Sequence, residues 1–140
     1  MPVSTMVLAS TFPSLITANT GAYLAVEMDL TTHGNVKIVP TTPDNSFVGF
    51  LDQNGAVNDS MCNVQMLGII PCQSDGAAVI NPGNPVIASG ATAGQVKALT
   101  LSSGSTLRQI YGICVNKAQV PATTSATVLV SMAPQFIYCT

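Results

Sequence analysis

The chain has little charge. Only 7% of its 140 residues are charged, against about 25% in a typical globular domain. Its apolar fraction of 47% is ordinary, so the polar surface must consist largely of Ser, Thr, Asn and Gln. An uncharged surface loses little free energy when water is removed from it. We therefore expect much of this surface to lie against other protein.

The few charges are unevenly distributed. Residues 1–75 carry six acids and one base (net −5), whereas residues 76–140 carry three bases (+3), which gives the overall −2. Two interpretations stay open: head-to-tail pairing of subunits with opposite potentials, or scattered charges without a role. No basic patch is present and the pI is about 4.8, which argues against direct nucleic-acid binding. The acids are Glu27, Asp29, Asp44, Asp52, Asp59 and Asp75, and the three bases are Lys97, Arg108 and Lys117.

Side chains for catalysis are also scarce. The single histidine, His33, adjoins Gly34 in a sequence typical of a surface turn, and no second ligand stands at metal-binding spacing. No G-x-S-x-G turn is present. The carboxylates Glu27, Asp29 and Asp52 are best interpreted as solvated strand residues. We predict no catalytic residue, no metal and no cofactor, and hence no enzyme.

Four cysteines occur without the paired spacing of a metal site: Cys62, Cys72, Cys114 and Cys139. Cys62 and Cys72 could face each other across a hairpin as a disulfide. Buried free thiols that act as small apolar side chains are the favoured interpretation, consistent with assembly in a reducing compartment.

Long apolar runs are missing as well. The longest, residues 61–72, is interrupted by polar residues, a glycine and a proline, and falls short of the roughly 20 residues that a membrane span requires. The N-terminal segment lacks the basic region of a signal peptide. We expect no contact with a membrane.

An internal repeat is the clearest feature that the chain does have. Residues 34–39 read Gly-Asn-Val-Lys-Ile-Val, and residues 94–99 read Gly-Gln-Val-Lys-Ala-Leu. Such an offset lies close to the range of known structural repeats. The similarity continues in the same order on both sides, pairing residues 19–21 with 81–83, 47–51 with 110–114, and 64–67 with 128–131.

The pattern within each copy is that of β-strands. Short apolar segments alternate with Gly-, Pro- and Asn-rich turns, and helical periodicity is nearly absent. Gly49 marks a bulge or a close approach of backbones, residues 61–70 form a strand with a bend at Gly68, and residues 126–132 and 136–139 form two separate strands. We predict an all-β, single-domain β-sandwich or small β-barrel built from two duplicated strand sets. The β domain covers residues 19–140, with the repeat at about 19–72 and 81–132.

Residues 1–18 precede the repeat and mix Ser, Thr and Pro with isolated apolar side chains. Two alternatives remain for this segment. It is an extended N-terminal arm that becomes ordered on a partner, or it is the first edge strand of the same domain. In the first case its partner contacts are Leu8, Phe12, Leu15 and Ile16.

The ordered set of motifs resembles a family of small tailed-phage capsid decoration proteins, also called cement or head-stabilisation proteins. The resemblance covers about residues 19–132. Its features are a strand from Gly21 to the Gly34-Asn-Val-Lys turn, Phe47-Val-Gly-Phe-Leu, Gly68-Ile-Ile, Asn81-Pro-Gly-Asn-Pro-Val, Tyr111-Gly-Ile-Cys-Val and Thr127-Val-Leu-Val.

This resemblance implies a β-rich structural protein that forms homo-oligomers, often trimers. Assembled in the host cytoplasm, such a protein binds the outer surface of the mature phage head, bridges major capsid subunits and stabilises the shell against internal DNA pressure. With Leu8, Phe12, Leu15 and Ile16 as capsid contacts, deletion of residues 1–18 is expected to abolish binding to the head and leave a folded core.

Two other classes share the low charge and β content. A secreted adhesin or fimbrial-type subunit would show a cleaved N-terminus or a disulfide. A small-ligand-binding β-barrel would need a cavity lined by convergent polar groups.

Overall fold

The computed structural model describes residues 6–17, 19, 21–57, 60–100 and 106–139, with side chains at 8–17, 19, 21–57, 60–100 and 108–132. Every described element is a strand, which confirms the all-β prediction. The nine strands are β1 (Met6–Pro13), β2 (Ala25–Met28), β3 (Val36–Ile38), β4 (Phe47–Leu51), β5 (Met61–Gln73), β6 (Pro85–Ala88), β7 (Val96–Ala98), β8 (Thr106–Cys114) and β9 (Thr127–Cys139).

The strands form one curled antiparallel sheet. Their order is β3-β2-β4-β5-β9-β8-β6-β7, and β1 pairs with β5 beside this path. The first half of β5 pairs with β1 from Met61 to Gly68. The second half pairs with β9 from Ile69 to Gln73. β5 therefore joins two strand sets, which we call the N-terminal unit (β1 to β4 and the first half of β5) and the C-terminal unit (the second half of β5 and β6 to β9).

Each unit closes on itself in the same way. After β1, Ser14 makes a parallel bridge to Val36 of β3, and the backbone N–H of Leu15 donates to Val36 O at 2.9 Å. Sixty residues later, Ser74 bridges Val96 of β7 in the same manner. In each unit the short outer strand, β3 or β7, thus gains a bridge partner on its free side. Part of its edge is therefore covered rather than open.

β1 (Met6–Pro13) pairs with β5 and lies beside the main path of strands. This part of the N-terminal segment is therefore an edge strand, the second of the two alternatives. It has a counterpart in the repeat, because β1 in the N-terminal unit occupies the place that the second half of β5 takes in the C-terminal unit. The second unit begins inside β5 at Ile69, twelve residues before position 81, where the sequence comparison places it.

The hairpins β2–β3 and β6–β7 show the duplication most directly. Val26 pairs with Ile38 in the first, and Val86 pairs with Ala98 in the second. The turn of each hairpin ends in a glycine of positive φ, 86° at Gly34 and 75° at Gly94. A side chain is strained in that backbone conformation, which explains why this short motif is the most similar part of the two copies.

Gly49 and Gly112 occupy matching positions in β4 and β8, where two backbones approach closely. A Cβ at Gly49 would lie 2.2 Å from the carbonyl oxygen of Gln65, and a Cβ at Gly112 would lie 2.2 Å from that of Ser131. The close approach predicted at Gly49 is confirmed, and it recurs in the second unit.

Two apolar cores lie within this framework. The N-terminal unit is filled by Ile16, Val26, Val36, Leu51, Ala56, Cys62 and Val64. The second core fills the C-terminal unit and extends into the boundary between the units, where the Phe47 ring stacks on Tyr111 with centroids 3.8 Å apart and planes 10° apart. The N–H of Phe47 also donates to Gln109 Oε1 at 3.1 Å. Ring stacking and this hydrogen bond fix the two units together.

The described cysteines behave as apolar core residues. Cys62, Cys72 and Cys114 are free and buried, so the favoured interpretation is confirmed and no disulfide joins Cys62 to Cys72. Burial raises the pKa of the Cys72 thiol well above its usual range, which keeps this thiol protonated and unreactive. The side chain of Cys139 lies outside the described residues.

Candidate interaction surface

The four predicted contact residues divide between surface and core. Leu8 is 46% exposed and Leu15 is 37% exposed. Phe12 is half-buried and packs against the N-terminal core. Ile16 is 7% exposed and belongs to that core. The structure therefore offers Leu8 and Leu15 to a partner, whereas Ile16 and much of Phe12 stabilise the domain itself.

Leu8 is part of a larger exposed face that the sequence analysis missed. Its Cα partner in β5 is Leu67, which is 44% exposed. The register of the two strands shifts on either side of this pair. Both leucines are exposed where β1 and β5 pair.

The other exposed residues of this strand pair are uncharged. Thr11 lies opposite Asn63, and its hydroxyl donates to Asn63 Oδ1 at 2.9 Å; Asn63 Nδ2 in turn donates to Asp52 Oδ2 at 3.2 Å. Pro13 lies opposite Met61, which is 57% exposed. We call these exposed residues of the paired strands the β1–β5 face; they are Leu8, Thr11, Pro13, Met61, Asn63 and Leu67.

The exposed positions of β5 follow from its alternation. Met61, Asn63 and Leu67 are exposed, whereas Cys62 and Val64 between them are buried. This period of two is readable in the sequence. The pairing with β1 is not, because register across about fifty residues depends on the whole sheet. For that reason the sequence predicts Leu8 as a contact residue but not Leu67.

A cluster of charges on the β2–β3 hairpin is the second candidate site. Lys37 Nζ lies 2.8 Å from Asp44 Oδ2, 3.5 Å from Glu27 Oε1 and 3.6 Å from Asp29 Oδ1. Glu27 is fully buried, so its interpretation as a solvated strand residue is wrong, because it turns inward toward Lys37. Its other oxygen accepts the backbone N–H of Asp44 at 3.2 Å. Three carboxylates thus surround one ammonium group.

The electrostatics of this cluster point to a structural role. Burial raises the pKa of Glu27, because a carboxylate loses its hydration there. The hydrogen bond to Asp44 raises the pKa of Lys37, so this amine stays protonated. The backbone N–H of Thr32 lowers the pKa of Asp29. A protonated lysine cannot act as a base. Its ion pair with Asp44 joins the hairpin to the following loop.

A cleft lies between the two units. Its volume is about 330 Å³. Arg108 is the one charged residue in its lining, and Gln109 already accepts the Phe47 N–H. Burial raises the pKa of Tyr111 far above its usual range, so its hydroxyl stays protonated. The lining consists of Thr41, Thr42, Pro43, Asn45, Ile87, Ala88, Gly90, Arg108, Gln109 and Tyr111.

This lining can hold a polar or anionic group by hydrogen bonds, but no two of its side chains form an acid–base pair. Within the described ranges, no group of three or more His, Cys, Asp or Glu side chains could hold a metal ion. His33 is exposed on its turn. In the same part of the chain, no helix has the length and apolar character needed to cross a membrane.

Comparison with known proteins gives no assignment. No protein-family model matches the chain, and no curated protein matches it.

Proposed function

We propose that this chain is a structural virion protein, a capsid decoration protein that binds the outside of a mature phage head. The β1–β5 face is the observation that carries the proposal. Leu8 and Leu67 are 46% and 44% exposed on paired strands whose other described exposed residues are uncharged. An apolar centre with a neutral polar rim is the usual composition of a protein–protein contact.

The scaffold suits such a role. Both units close their strand circuits, and β5 passes without interruption from one unit to the other. A protein that binds only the mature lattice stabilises that lattice by its binding free energy. Many copies, each bridging neighbouring major capsid subunits, would together oppose the outward force of packaged DNA. In this proposal the partners are the major capsid protein and further copies of the chain, with a trimer as the expected oligomer.

The contact residues are now assigned differently. We propose Leu8 and Leu67 as the centre of the capsid contact, with Leu15 at its border. Ile16 and Phe12 support β1 from below. Deletion of residues 1–18 is therefore unsuitable as a test, because it removes a strand and a core side chain together.

Point substitutions test the proposal. Wild-type protein is mixed with emptied, expanded heads of the phage that encodes the chain, and bound protein is measured after sedimentation. We expect saturable binding that Leu8→Asp and Leu67→Asp each reduce about tenfold or more, since a charge is desolvated in the contact. Val79→Asp is the matched control, because Val79 is similarly exposed at 40% but lies outside the β1–β5 face.

Full binding by both aspartate variants would refute the assigned contact. Failure of the wild-type protein to bind heads would refute the proposed function.

The inter-unit cleft favours a second function, that of a small-ligand-binding protein. Hydroxyl, amide and guanidinium groups converge on its volume of about 330 Å³, as such a site requires. A thermal-shift screen with small anions and sugars tests it. A ligand that raises the melting temperature of the wild type but not of Arg108→Ala would support this function, and a screen without any shift would count against it.

A further inference from the structure

Side chains of the N-terminal unit enter the core of the C-terminal unit, but no described side chain of the C-terminal unit enters the core of the N-terminal unit. Four side chains on the outer face of the N-terminal unit belong to the core of the C-terminal unit, and Ala25 and Phe50 among them are fully buried. Phe47 stacks on Tyr111 in the same layer. The four residues are Ala25, Val39, Phe47 and Phe50.

Among the described residues, the matching face of the C-terminal unit is covered at Ile110, the counterpart of Phe47, but less so at the neighbouring positions. Ala25 pairs with Phe50 in the N-terminal unit, and Pro85 pairs with Ile113 in the C-terminal unit. Ile113 is 36% exposed, whereas its counterpart Phe50 is fully buried. Neither Pro85 nor Ile113 belongs to the core of the N-terminal unit. We call this surface, made by Pro85, Leu99 and Ile113, the open face.

The hairpin turns differ in the same sense. The N–H of Gly94 donates to Val39 O at 2.8 Å, and its carbonyl oxygen accepts the N–H of Ala25 at 2.8 Å. A Cβ at Gly94 would meet Ile38 and Leu24 at 3.0 Å. The turn of the C-terminal unit is therefore seated on the N-terminal unit.

The turn of the N-terminal unit is free by comparison. A Cβ at Gly34 would meet nothing within 4 Å. Beside it on the same turn, Leu30 is 59% exposed. Its counterpart in the seated turn is Gly90, where a Cβ would lie 3.9 Å from Thr41 O of the other unit. Inside the chain, the turn of the C-terminal unit contacts the outer face of the N-terminal unit. The equivalent turn of the N-terminal unit and the equivalent face of the C-terminal unit at Ile113 are both left exposed.

We propose that a second copy of this chain occupies the open face, with its Leu30–Gly34 turn placed as the Gly94 turn is placed within one chain. The contact is head-to-tail, because the two surfaces are different. A second copy fits this place because the turn that it would bring is the repeat counterpart of the turn already bound at the matching place inside the chain.

The contact between copies should be weaker than the one inside a chain. Where Ala25 donates its N–H to Gly94, the open face has Pro85, which has no N–H. Ala98 stands in place of Ile38, and Asn84 stands in place of Leu24. The part of the open face that would receive the turn is therefore less apolar than its counterpart in the N-terminal unit. Association of separate copies also loses translational and rotational freedom that the covalent link spares. We therefore expect an oligomer that dissociates on dilution.

Light scattering after size exclusion, at a series of protein concentrations, gives the first test. The wild type is expected to be oligomeric and to shift toward monomer as it is diluted. Ile113→Asp on the open face and Leu30→Asp on the turn should each raise the dissociation constant about tenfold or more. Val79→Asp, at a residue that is 40% exposed and belongs to neither surface, should match the wild type, and melting curves check that all variants fold.

Mixing the two variants distinguishes a head-to-tail contact from a symmetric one. Ile113→Asp keeps an intact turn, and Leu30→Asp keeps an intact open face, so an equimolar mixture should form a dimer that neither variant forms alone. In a head-to-tail contact this mixed dimer has wild-type affinity, whereas in a symmetric contact the mixed pair would place the two aspartates opposite each other in half of the interface and bind more weakly than the wild type. A monomeric wild type, or a mixture without the dimer, would overturn the proposal. Neither result depends on binding to phage heads.

Discussion

The N-terminal and C-terminal units share a backbone and differ in what their side chains contact. Both have the positive-φ glycine at the hairpin turn, the parallel bridge from a serine, and the glycine at which two backbones meet. The outer face of the first is buried by the second, whereas part of the outer face of the second, at Ile113, is exposed among the described residues. Duplication has thus preserved the positions that backbone geometry dictates and released those that depend on a neighbour.

In both hairpin turns a side-chain oxygen accepts a backbone N–H of the turn, but the residue that supplies the oxygen differs. In the N-terminal unit, Asp29 accepts the N–H of Thr32. In the C-terminal unit, Ser89 accepts the N–H of Thr92 at 3.0 Å. Either oxygen satisfies the turn's backbone donor, but only the aspartate adds charge. The N-terminal unit uses that charge in the Lys37 cluster, and the C-terminal unit has Ile87 in place of Glu27.

The largest effect is expected where the units are most alike. Gly49→Ala and Gly112→Ala each place a Cβ 2.2 Å from a backbone oxygen, so a strand must move, and each should cost about 4 kcal/mol of unfolding free energy or prevent folding. Gly34→Ala is the control, since its φ is positive but space is free, and it should cost about 1 kcal/mol. Urea unfolding measures all three, and a mild effect at either strand glycine would contradict the shared geometry.

The next comparison separates the buried face from the open one. Phe50→Ala removes a fully buried ring and should cost about 3–4 kcal/mol. Ile113→Ala at the matching position, 36% exposed, should cost about 1 kcal/mol in dilute, monomeric protein. If urea unfolding showed the same loss of unfolding free energy for both variants, Ile113 would be buried as Phe50 is, and the proposed open face would be contradicted.

The two lysines provide a third comparison. Lys37→Met leaves the buried Glu27 without a cation and should cost about 3 kcal/mol at pH 7. Lys97→Met should change the unfolding free energy by less than about 0.5 kcal/mol, since Lys97 forms no ion pair within the described part of the chain. Similar effects of both variants would show that the cluster does not stabilise the N-terminal unit.

The smallest effect is a pH dependence within the cluster. The pKa of Glu27 is raised in the folded state by burial, so the unfolded chain releases this proton first as pH rises from about 4. The wild type should therefore lose stability relative to Glu27→Gln between pH 4 and pH 7. Asp29→Asn is the control of opposite sign, because the pKa of Asp29 is lowered and its contribution disappears as pH falls. Parallel pH profiles for all three proteins would contradict this assignment.

Local sequence patterns predicted much of the fold because strands and turns obey local rules. The turn glycines, the close approach at Gly49 and the alternation in β5 were readable in this way. The extent of β5 was not: Gly68, at φ 109°, was correctly expected to interrupt the strand's regularity, yet the strand runs on to Gln73. Residues 126–132 and 136–139 likewise belong to one strand, β9, because pairing with β8 carries it past Pro134.

The candidate contacts were harder to predict because they depend on pairing between distant segments. Leu8 and Ile16 look alike in sequence, but one faces solvent and the other fills the core. Only the register of β1 against β5 and the bridge from Ser14 to Val36 separate them. The Lys37 cluster likewise requires the β2–β3 register and a loop that returns Asp44 to the hairpin.

We propose that this protein covers and stabilises a phage head. The most direct measurement is the temperature at which emptied, expanded phage heads open, with and without saturating wild-type protein. We expect that temperature to rise with the number of copies bound, and the rise to be lost with Leu8→Asp and Leu67→Asp. An unchanged opening temperature on heads carrying full occupancy would contradict it.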